Sequence, residues 1–169
     1  MSEVNNLPFI DPENAETGCC PKFSPEPWDE KTIVLNNMLF AKASTKSLFY
    51  MPLNLGKVFA NVQKAIDKSN ANIDCGYLTL SQDVSKWKAD HYFRVSKEVP
   101  ELEMVRISGT FITKVFNADF KQFPELIKKL ETSIQSKGHK MKEFFVFYTT
   151  CPKCSKHYGH NYMVFFGRI

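Results

Sequence analysis

The sequence lacks any apolar run that approaches the roughly 20 residues needed to cross a bilayer as a helix. Its first residues, Met1 to Asn6, are polar and acidic, without the basic segment and apolar stretch of a secretory signal peptide. We therefore expect a cytoplasmic location and no membrane partner. In that compartment the 5 cysteines are expected to be thiols or metal ligands more often than disulfides.

A basic stripe interleaved with aromatic residues is also lacking. The formal charge of +4 comes from 22 basic and 18 acidic side chains, and the lysines are scattered along the chain. Surfaces that bind nucleic acid concentrate positive charge, so we expect no nucleic-acid partner. The short motifs of serine hydrolases, zinc proteases, phosphate-binding loops and dinucleotide-binding folds are absent too, so no nucleotide or flavin cofactor is expected.

What the sequence does contain is an ordinary globular composition with many aromatic residues. Hydrophobic residues make up 43% and charged residues 24% of its 169 positions, which fits a single domain. The aromatic residues are 15 Phe, 6 Tyr and 2 Trp. Large rings fill protein cores, and they also line apolar ligand pockets, so both roles stay open.

Residues 1–45 are predicted to form an irregular arm that packs on the domain. Prolines are frequent before Trp28, and they exclude a regular helix or a central strand there. The same stretch carries Phe23, Trp28 and two cysteines, so it is expected to be ordered. Thr32 to Phe40 is predicted to be a short strand pair around a turn at Asn36-Asn37.

From residue 46 onward the chain repeats one order of elements, strand, helix, strand and strand. Apolar residues spaced by three and four positions predict two amphipathic helices, at 56–69 and 123–137. Extended segments are predicted at 46–51, 77–80 and 91–95, and again at 104–115, 144–148 and 161–166. This order predicts one α+β domain, 46–169, made of two β-α-β-β halves at about 46–100 and 104–169.

The second half resembles a known family. Val105-Arg-Ile-Ser-Gly-Thr-Phe-Ile-Thr-Lys-Val-Phe116 precedes the helix, and Phe147-Tyr-Thr-Thr150 follows it. These segments and the repeated order resemble the gyrase-inhibitory-protein-like (GyrI-like) small-molecule-binding domains over residues 46–169. The resemblance implies tandem β-α-β-β modules about a pseudo-twofold, with an antiparallel sheet and helices on one face. It also implies an aromatic groove between the modules that binds a small apolar or cationic molecule.

A narrower set of motifs is similar to a bacterial group often catalogued as hydrolases. The motifs are Gly18-Cys-Cys-Pro21, Pro27-Trp-Asp29, Met51-Pro-Leu-Asn-Leu-Gly56 and Thr150-Cys-Pro-Lys-Cys-Ser-Lys156. This similarity implies an enzyme that hydrolyses its substrate. The long arm with its cysteines and the Cys-x-x-Cys connection depart from the GyrI-like pattern.

Four of the cysteines form two pairs that could share one metal ion. Cys151-Pro-Lys-Cys154 is expected to lie in a loop between strands, where two thiolates can meet a tetrahedral zinc ion. Cys19 and Cys20 supply the other two ligands, with His157 or His160 as a substitute for one of them. Buried free thiols and a redox pair are the alternatives. Thioredoxin-type pairs open a helix after a strand, whereas a strand is expected here after Gly159.

The remaining candidates concern the groove. Its walls are predicted to include Trp28, Tyr77, Trp87, Tyr92, Phe147, Tyr148 and Tyr162. Weak catalytic candidates are Glu98, Glu103 and Tyr148, since a carboxyl beside aromatic walls can have a raised pKa. The competing interpretation places Glu98 to Glu103 in a solvated loop, His91 and His139 on the surface, and the rings in the core. Cys75 stands apart and is expected to be a small buried hydrophobic residue.

The functional hypothesis is therefore a small-molecule-binding protein with an aromatic groove and a structural zinc site. Two alternatives stay open. One is a hydrolase that uses a groove carboxylate or a zinc-activated water, and the other is a protein-interaction module.

Overall fold

A computed structural model describes residues 5–73 and 77–169 of the chain, so Cys75 lies outside the described residues. Within them are seven strands, three α-helices and two short 3₁₀ turns. The strands are β1 (Thr32–Leu48), β2 (Met51–Pro52), β3 (Thr79–Ser85), β4 (Lys88–Arg94), β5 (Glu103–Asn117), β6 (Glu143–Tyr148) and β7 (Tyr162–Arg168). The helices are α1 (Leu55–Lys68), α2 (Phe123–Ser136) and α3 (Pro152–Tyr158). In this part of the chain no helix combines the length and apolar character needed to cross a membrane.

The chain divides into two compact units. Unit 1 combines the residues up to Asn36 with Gly109–Ile169, and unit 2 contains Asn37–Ser108. The long strands β1 and β5 each contribute residues to both units.

In unit 2, helix α1 covers an antiparallel sheet. β1 pairs with β4 over Phe40–Lys46, and β4 pairs in turn with β3. The apolar face of α1, at Val62, Ala65 and Ile66, packs against Ala41 of β1 and Phe93 of β4. The spacing of three and four residues that predicts this helix thus also determines which face is buried.

In unit 1, helix α2 packs in the same way on strands β5, β7 and β6. β7 is the central strand of the three and pairs antiparallel with both neighbours. Leu126, Leu130 and Ile134 of α2 meet Met163 and Phe165 of β7 in one buried cluster. The predicted positions of α1 and α2 are confirmed to within one residue at each end.

Strand β1 runs through the position where a turn was predicted. Ile33 and Leu35 are buried before Asn36-Asn37, and Met38 and Phe40 are buried after it, so the buried side changes from odd to even positions. Asn37 has a φ of 52°, which inserts one residue without ending the strand. An extra residue of this kind is a β-bulge, and asparagine tolerates the left-handed conformation better than most residues.

The expected fold class, two β-α-β-β modules with helices on one face of an open sheet, is wrong. Most of the regular secondary structure is strand, and six of the strands are joined in a closed antiparallel arrangement. The physical reason is the length of β1 and β5, at 17 and 15 residues, about three times a typical strand. Residues 32–45, expected to belong to an irregular arm, are part of this sheet. The architecture implied by the GyrI-like resemblance is therefore not found.

Candidate metal centre

The arm, which in the structure is the segment before β1, carries Cys19 and Cys20 in a tight turn in unit 1. Gly18 has a φ of 68°, a conformation that glycine adopts without steric strain, and its N–H donates to the carbonyl of Ala15 at 2.9 Å. The N–H of Cys19 donates to the Thr17 hydroxyl oxygen at 3.3 Å. These contacts hold the backbone of the turn that carries the two cysteines.

The second pair lies at the start of helix α3, and not in a loop as predicted. Cys151 is the residue that precedes the helix, Pro152 is its first residue, and Cys154 lies in its first turn. Proline suits the first helical position because its missing N–H would have no partner there. The helix ends at Gly159, whose φ is 75°. A helix therefore does begin at the Cys-x-x-Cys motif, and the expectation of a strand there, which counted against a redox pair, is wrong.

The four cysteines lie together. One sulfur atom from each of Cys19, Cys20, Cys151 and Cys154 lies within 4.8 Å of the others. In a tetrahedral zinc–thiolate site with bonds of about 2.3 Å, neighbouring sulfurs are about 3.8 Å apart. The Sγ atoms of Cys19 and Cys20 are 3.7 Å apart, which matches that distance and far exceeds a disulfide bond. The prediction that both pairs meet is confirmed.

Hydrogen bonds to the sulfur atoms favour ionised thiols at two of the four positions. The N–H of Cys151 donates to Cys20 Sγ at 3.4 Å, and Thr17 Oγ1 lies 3.1 Å from Cys154 Sγ. The Thr17 hydroxyl is the main cause that lowers the pKa of Cys154 to about 6, against the opposing effect of burial. Donors of this kind commonly surround metal-bound thiolates and orient them.

The thiols do not all favour ionisation in the absence of a cation. Burial raises the pKa of Cys20. A hydrogen bond with Cys20 lowers the pKa of Cys19, but burial and the neighbouring thiols outweigh it and raise that pKa overall. A bound divalent cation would reverse this balance, because it stabilises every thiolate that coordinates it.

Polar contacts outside the sulfur cluster also connect the arm to α3. Tyr158 donates its hydroxyl to the carbonyl of Cys20 at 2.8 Å and accepts the N–H of Glu16 at 3.1 Å. His157 Nε2 lies 3.3 Å from a Glu16 carboxylate oxygen. His160 packs its ring against Tyr162, with centroids 4.3 Å apart. Neither histidine belongs to the group of possible ligands. A metal site in which His157 or His160 replaces one of the cysteines as a ligand therefore finds no support.

Three of the predicted groove residues lie around one core aromatic ring from the arm. The ring of Phe23 lies 5.8 Å from those of Trp28 and Tyr162 and 6.5 Å from that of Phe147, measured between centroids. Trp28 is only 2% exposed and Phe147 only 1% exposed. The arm thus fills the space next to these residues in unit 1 with its own aromatic side chains.

The other predicted groove residues lie in different places. Tyr148 stacks on Phe123 in unit 1, at 6.4 Å between centroids. Tyr77 lines a small cavity in unit 2 of about 30 Å³. Trp87 is exposed at the end of a hairpin, and Tyr92 is half-buried on β4.

The predicted carboxylates are on the surface of unit 2. Glu98 and Glu103 are both exposed. Glu103 lies 3.6 Å from Lys42 Nζ, which also lies 3.4 Å from the buried carboxylate of Asp90. The sequence pattern did not identify Lys42 and Asp90. Strand periodicity does not predict that a charged residue such as Asp90 is buried, because its partner Lys42 lies on another strand.

His91 was expected on the surface and is buried instead. Its ring nitrogens lie 2.7 Å from Ser81 Oγ and 2.9 Å from Thr45 Oγ1, and its ring packs edge-on against Phe59 of α1. Ser81 and His91 resemble a nucleophile and its base. All three hydrogen-bonding residues are at most 7% exposed, however, so a substrate has no access to them.

Acid should destabilise the protein through His91. Burial lowers its pKa from 6.5 to about 4, against a smaller opposing effect of Asp90. The folded state therefore favours the neutral ring. The stabilisation that His91 contributes is fully present above pH 6.5 and is lost as the pH drops toward 4. A pKa difference of this size between the unfolded and folded states corresponds to about 3 kcal/mol of folding free energy. Urea titrations at several pH values between 6.5 and 4 should show that the free energy of unfolding falls more steeply with decreasing pH in the wild type than in His91→Gln. Equal pH dependence in the two proteins would contradict this prediction.

Comparison with known proteins identifies a family and a fold relative. The family described as "Bacterial hydrolase" matches residues 10–169. An uncharacterised conserved protein from Listeria innocua has a similar fold, with a TM-score of 0.58. It is 8% identical, and the similarity covers 84% of this chain and 93% of that protein. No curated protein matches the sequence.

Proposed function

The chain belongs to the bacterial hydrolase family, and from this premise and the geometry of its cysteines we propose that it carries one structural zinc ion. The ligands are Cys19, Cys20, Cys151 and Cys154. The observation that carries the proposal is the approach of all four sulfurs to within 4.8 Å, from two segments far apart in sequence. Sulfur ligands in a tetrahedral set favour zinc over harder cations.

The role of this zinc is to hold the arm on helix α3. Four protein ligands complete the coordination of zinc and leave no position for a water molecule. Catalytic zinc sites keep such a position, so a metal held by these four residues does not activate water. Any hydrolysis by this family member therefore uses residues away from the metal.

Elemental analysis tests the proposal directly. Protein purified without chelator and under reducing conditions should contain about one zinc ion per chain. After cobalt replaces the zinc, the visible spectrum should show the intense bands of a tetrahedral thiolate site. A metal-free protein with a Cys151–Cys154 disulfide, detected by mass spectrometry, would favour the redox alternative and reject the zinc site.

A further inference from the structure

Unit 2 exposes a group of large apolar side chains at the ends of two neighbouring hairpins. Each member is between 48% and 67% exposed. We call this group the hairpin patch, and it consists of Leu48, Phe49, Tyr50, Met51, Leu53, Val84 and Trp87. Single exposed apolar residues are common on proteins, but a contiguous group marks a surface that meets something apolar.

The two hairpins are held together, so the patch is a defined surface. The N–H of Tyr50 donates to the carbonyl of Lys86 at 3.0 Å, and the N–H of Ser47 donates to the carbonyl of Trp87 at 2.8 Å. The rings of Phe49 and Trp87 are 5.0 Å apart between centroids. Aromatic residues from both hairpins thus contact each other at the surface.

The turn between β1 and β2 is strained in a way that favours a functional role. Leu48 pairs with Met51, so Phe49 and Tyr50 form a two-residue connection. Their φ angles are 48° and 68°, as in the type I′ turns that strongly prefer Asn-Gly. Bulky residues are unfavourable in this conformation, and such outliers cluster at functional sites. The chain keeps two aromatic residues where two small residues would relax the backbone.

Lysines outnumber acidic residues next to the patch. Residues 44–57 and 84–89 contain Lys46, Lys57, Lys86 and Lys88, and the acidic residues that flank the second segment are the exposed Asp83 and the buried Asp90. Lys86 Nζ lies 5.6 Å and 5.9 Å from the ring centroids of Phe49 and Trp87. Lys88 also lies 3.5 Å from the buried carboxylate of Asp90. The patch therefore combines rings and aliphatic chains with a local excess of lysine.

Contrary to the expectation from the sequence that the protein has no membrane partner, we propose that the hairpin patch docks on an anionic lipid surface. Aromatic residues prefer the boundary between headgroups and acyl chains, while lysine ammonium groups reach anionic headgroups. The aliphatic members suit insertion into lipid, whereas stacking on nucleic-acid bases uses flat rings in a basic groove. The proposal concerns a peripheral contact and does not depend on the metal site.

The test compares the full-length wild type with Phe49→Asn/Tyr50→Gly. The wild type should co-sediment with vesicles of equal parts phosphatidylcholine and phosphatidylglycerol. On binding, the fluorescence of Trp87 should shift to the blue. The double variant should bind roughly tenfold more weakly, because it loses both inserted rings. Its melting temperature should rise, because Asn-Gly relaxes the turn. A loss of binding together with a more stable fold separates function from misfolding.

Further variants make the test specific. Neutralising Lys46 and Lys86 as glutamine should weaken binding about fivefold for each lysine. Phe9→Ser is the matched control, because Phe9 is 64% exposed in unit 1, and it should leave binding unchanged. Equal binding of wild type and double variant, or equal binding to pure phosphatidylcholine, would overturn the proposal. So would dimerisation or oligonucleotide binding that the double variant abolishes.

Discussion

Replacing Cys151 and Cys154 together with serine is expected to release the metal and to destabilise the fold by about 4 kcal/mol. In the proposed site the ion would connect Cys20 to Cys151, which are 131 positions apart in the sequence. A cross-link that closes a loop of about this length restricts the unfolded chain by a free energy of that order. In a protein of this size the melting temperature should fall by roughly 8–16 °C. Calorimetry and zinc analysis of the same samples measure both effects.

Cys75→Ser is the matched control, because it makes the same chemical change at the cysteine that is not one of the four proposed ligands. It should keep about one zinc ion per chain, as the wild type does, and a strong chelator should still lower its melting temperature. Adding a strong chelator to the wild type should reproduce the lower melting temperature of the double variant and leave the double variant itself unchanged. If the double variant retained one zinc ion per chain, the ligand assignment would have to be abandoned.

Replacing Trp28 with alanine should be almost as damaging, although this residue lies in the arm. Trp28 is 2% exposed, and its ring lies 5.6 Å from that of Phe147 and 6.2 Å from that of Phe166, between centroids. Its carbonyl accepts a hydrogen bond from the buried Thr113 hydroxyl, which holds the arm against β5. Loss of a buried tryptophan leaves a large cavity, so the free energy of unfolding should fall by about 3–5 kcal/mol.

The second tryptophan provides an internal control for that experiment. Trp87→Ala makes the same chemical change at a position that is 51% exposed, so it should alter the free energy of unfolding by less than about 0.5 kcal/mol. Urea denaturation of both variants, followed by circular dichroism, gives the comparison. A loss of stability in Trp28→Ala as small as that in Trp87→Ala would mean that the arm contributes little to the core of unit 1.

Local patterns predicted helices α1 and α2 and the cysteine cluster well, but not helix α3. Apolar residues at every third and fourth position determine that α1 and α2 are helical and which face each one buries. The two cysteine pairs occur in short segments rich in proline, and each segment restricts its own backbone. Hydrolase-family membership, too, was indicated by short motifs around these cysteines and agrees with the match over residues 10–169.

The closed sheet and the buried His91 could not be predicted in this way. Asn36-Asn37 has the composition of a turn, but pairing within the sheet keeps the chain extended and converts the pair into a bulge. The Phe49-Tyr50 turn was missed for the opposite reason, since neither residue favours that conformation. His91 becomes buried because hydroxyls from two other strands satisfy its ring nitrogens.

By itself, then, the sequence determined the helical faces and the four cysteines able to meet at one metal ion. These depend on interactions among residues close together along the chain, or on a residue type with few alternative roles. Only the tertiary structure decided that the strands close, that the arm's rings occupy the core of unit 1, and that a strained aromatic turn is exposed in unit 2. Each of these depends on pairing between distant segments, whose free energy outweighs local preference and leaves no periodic pattern along the chain.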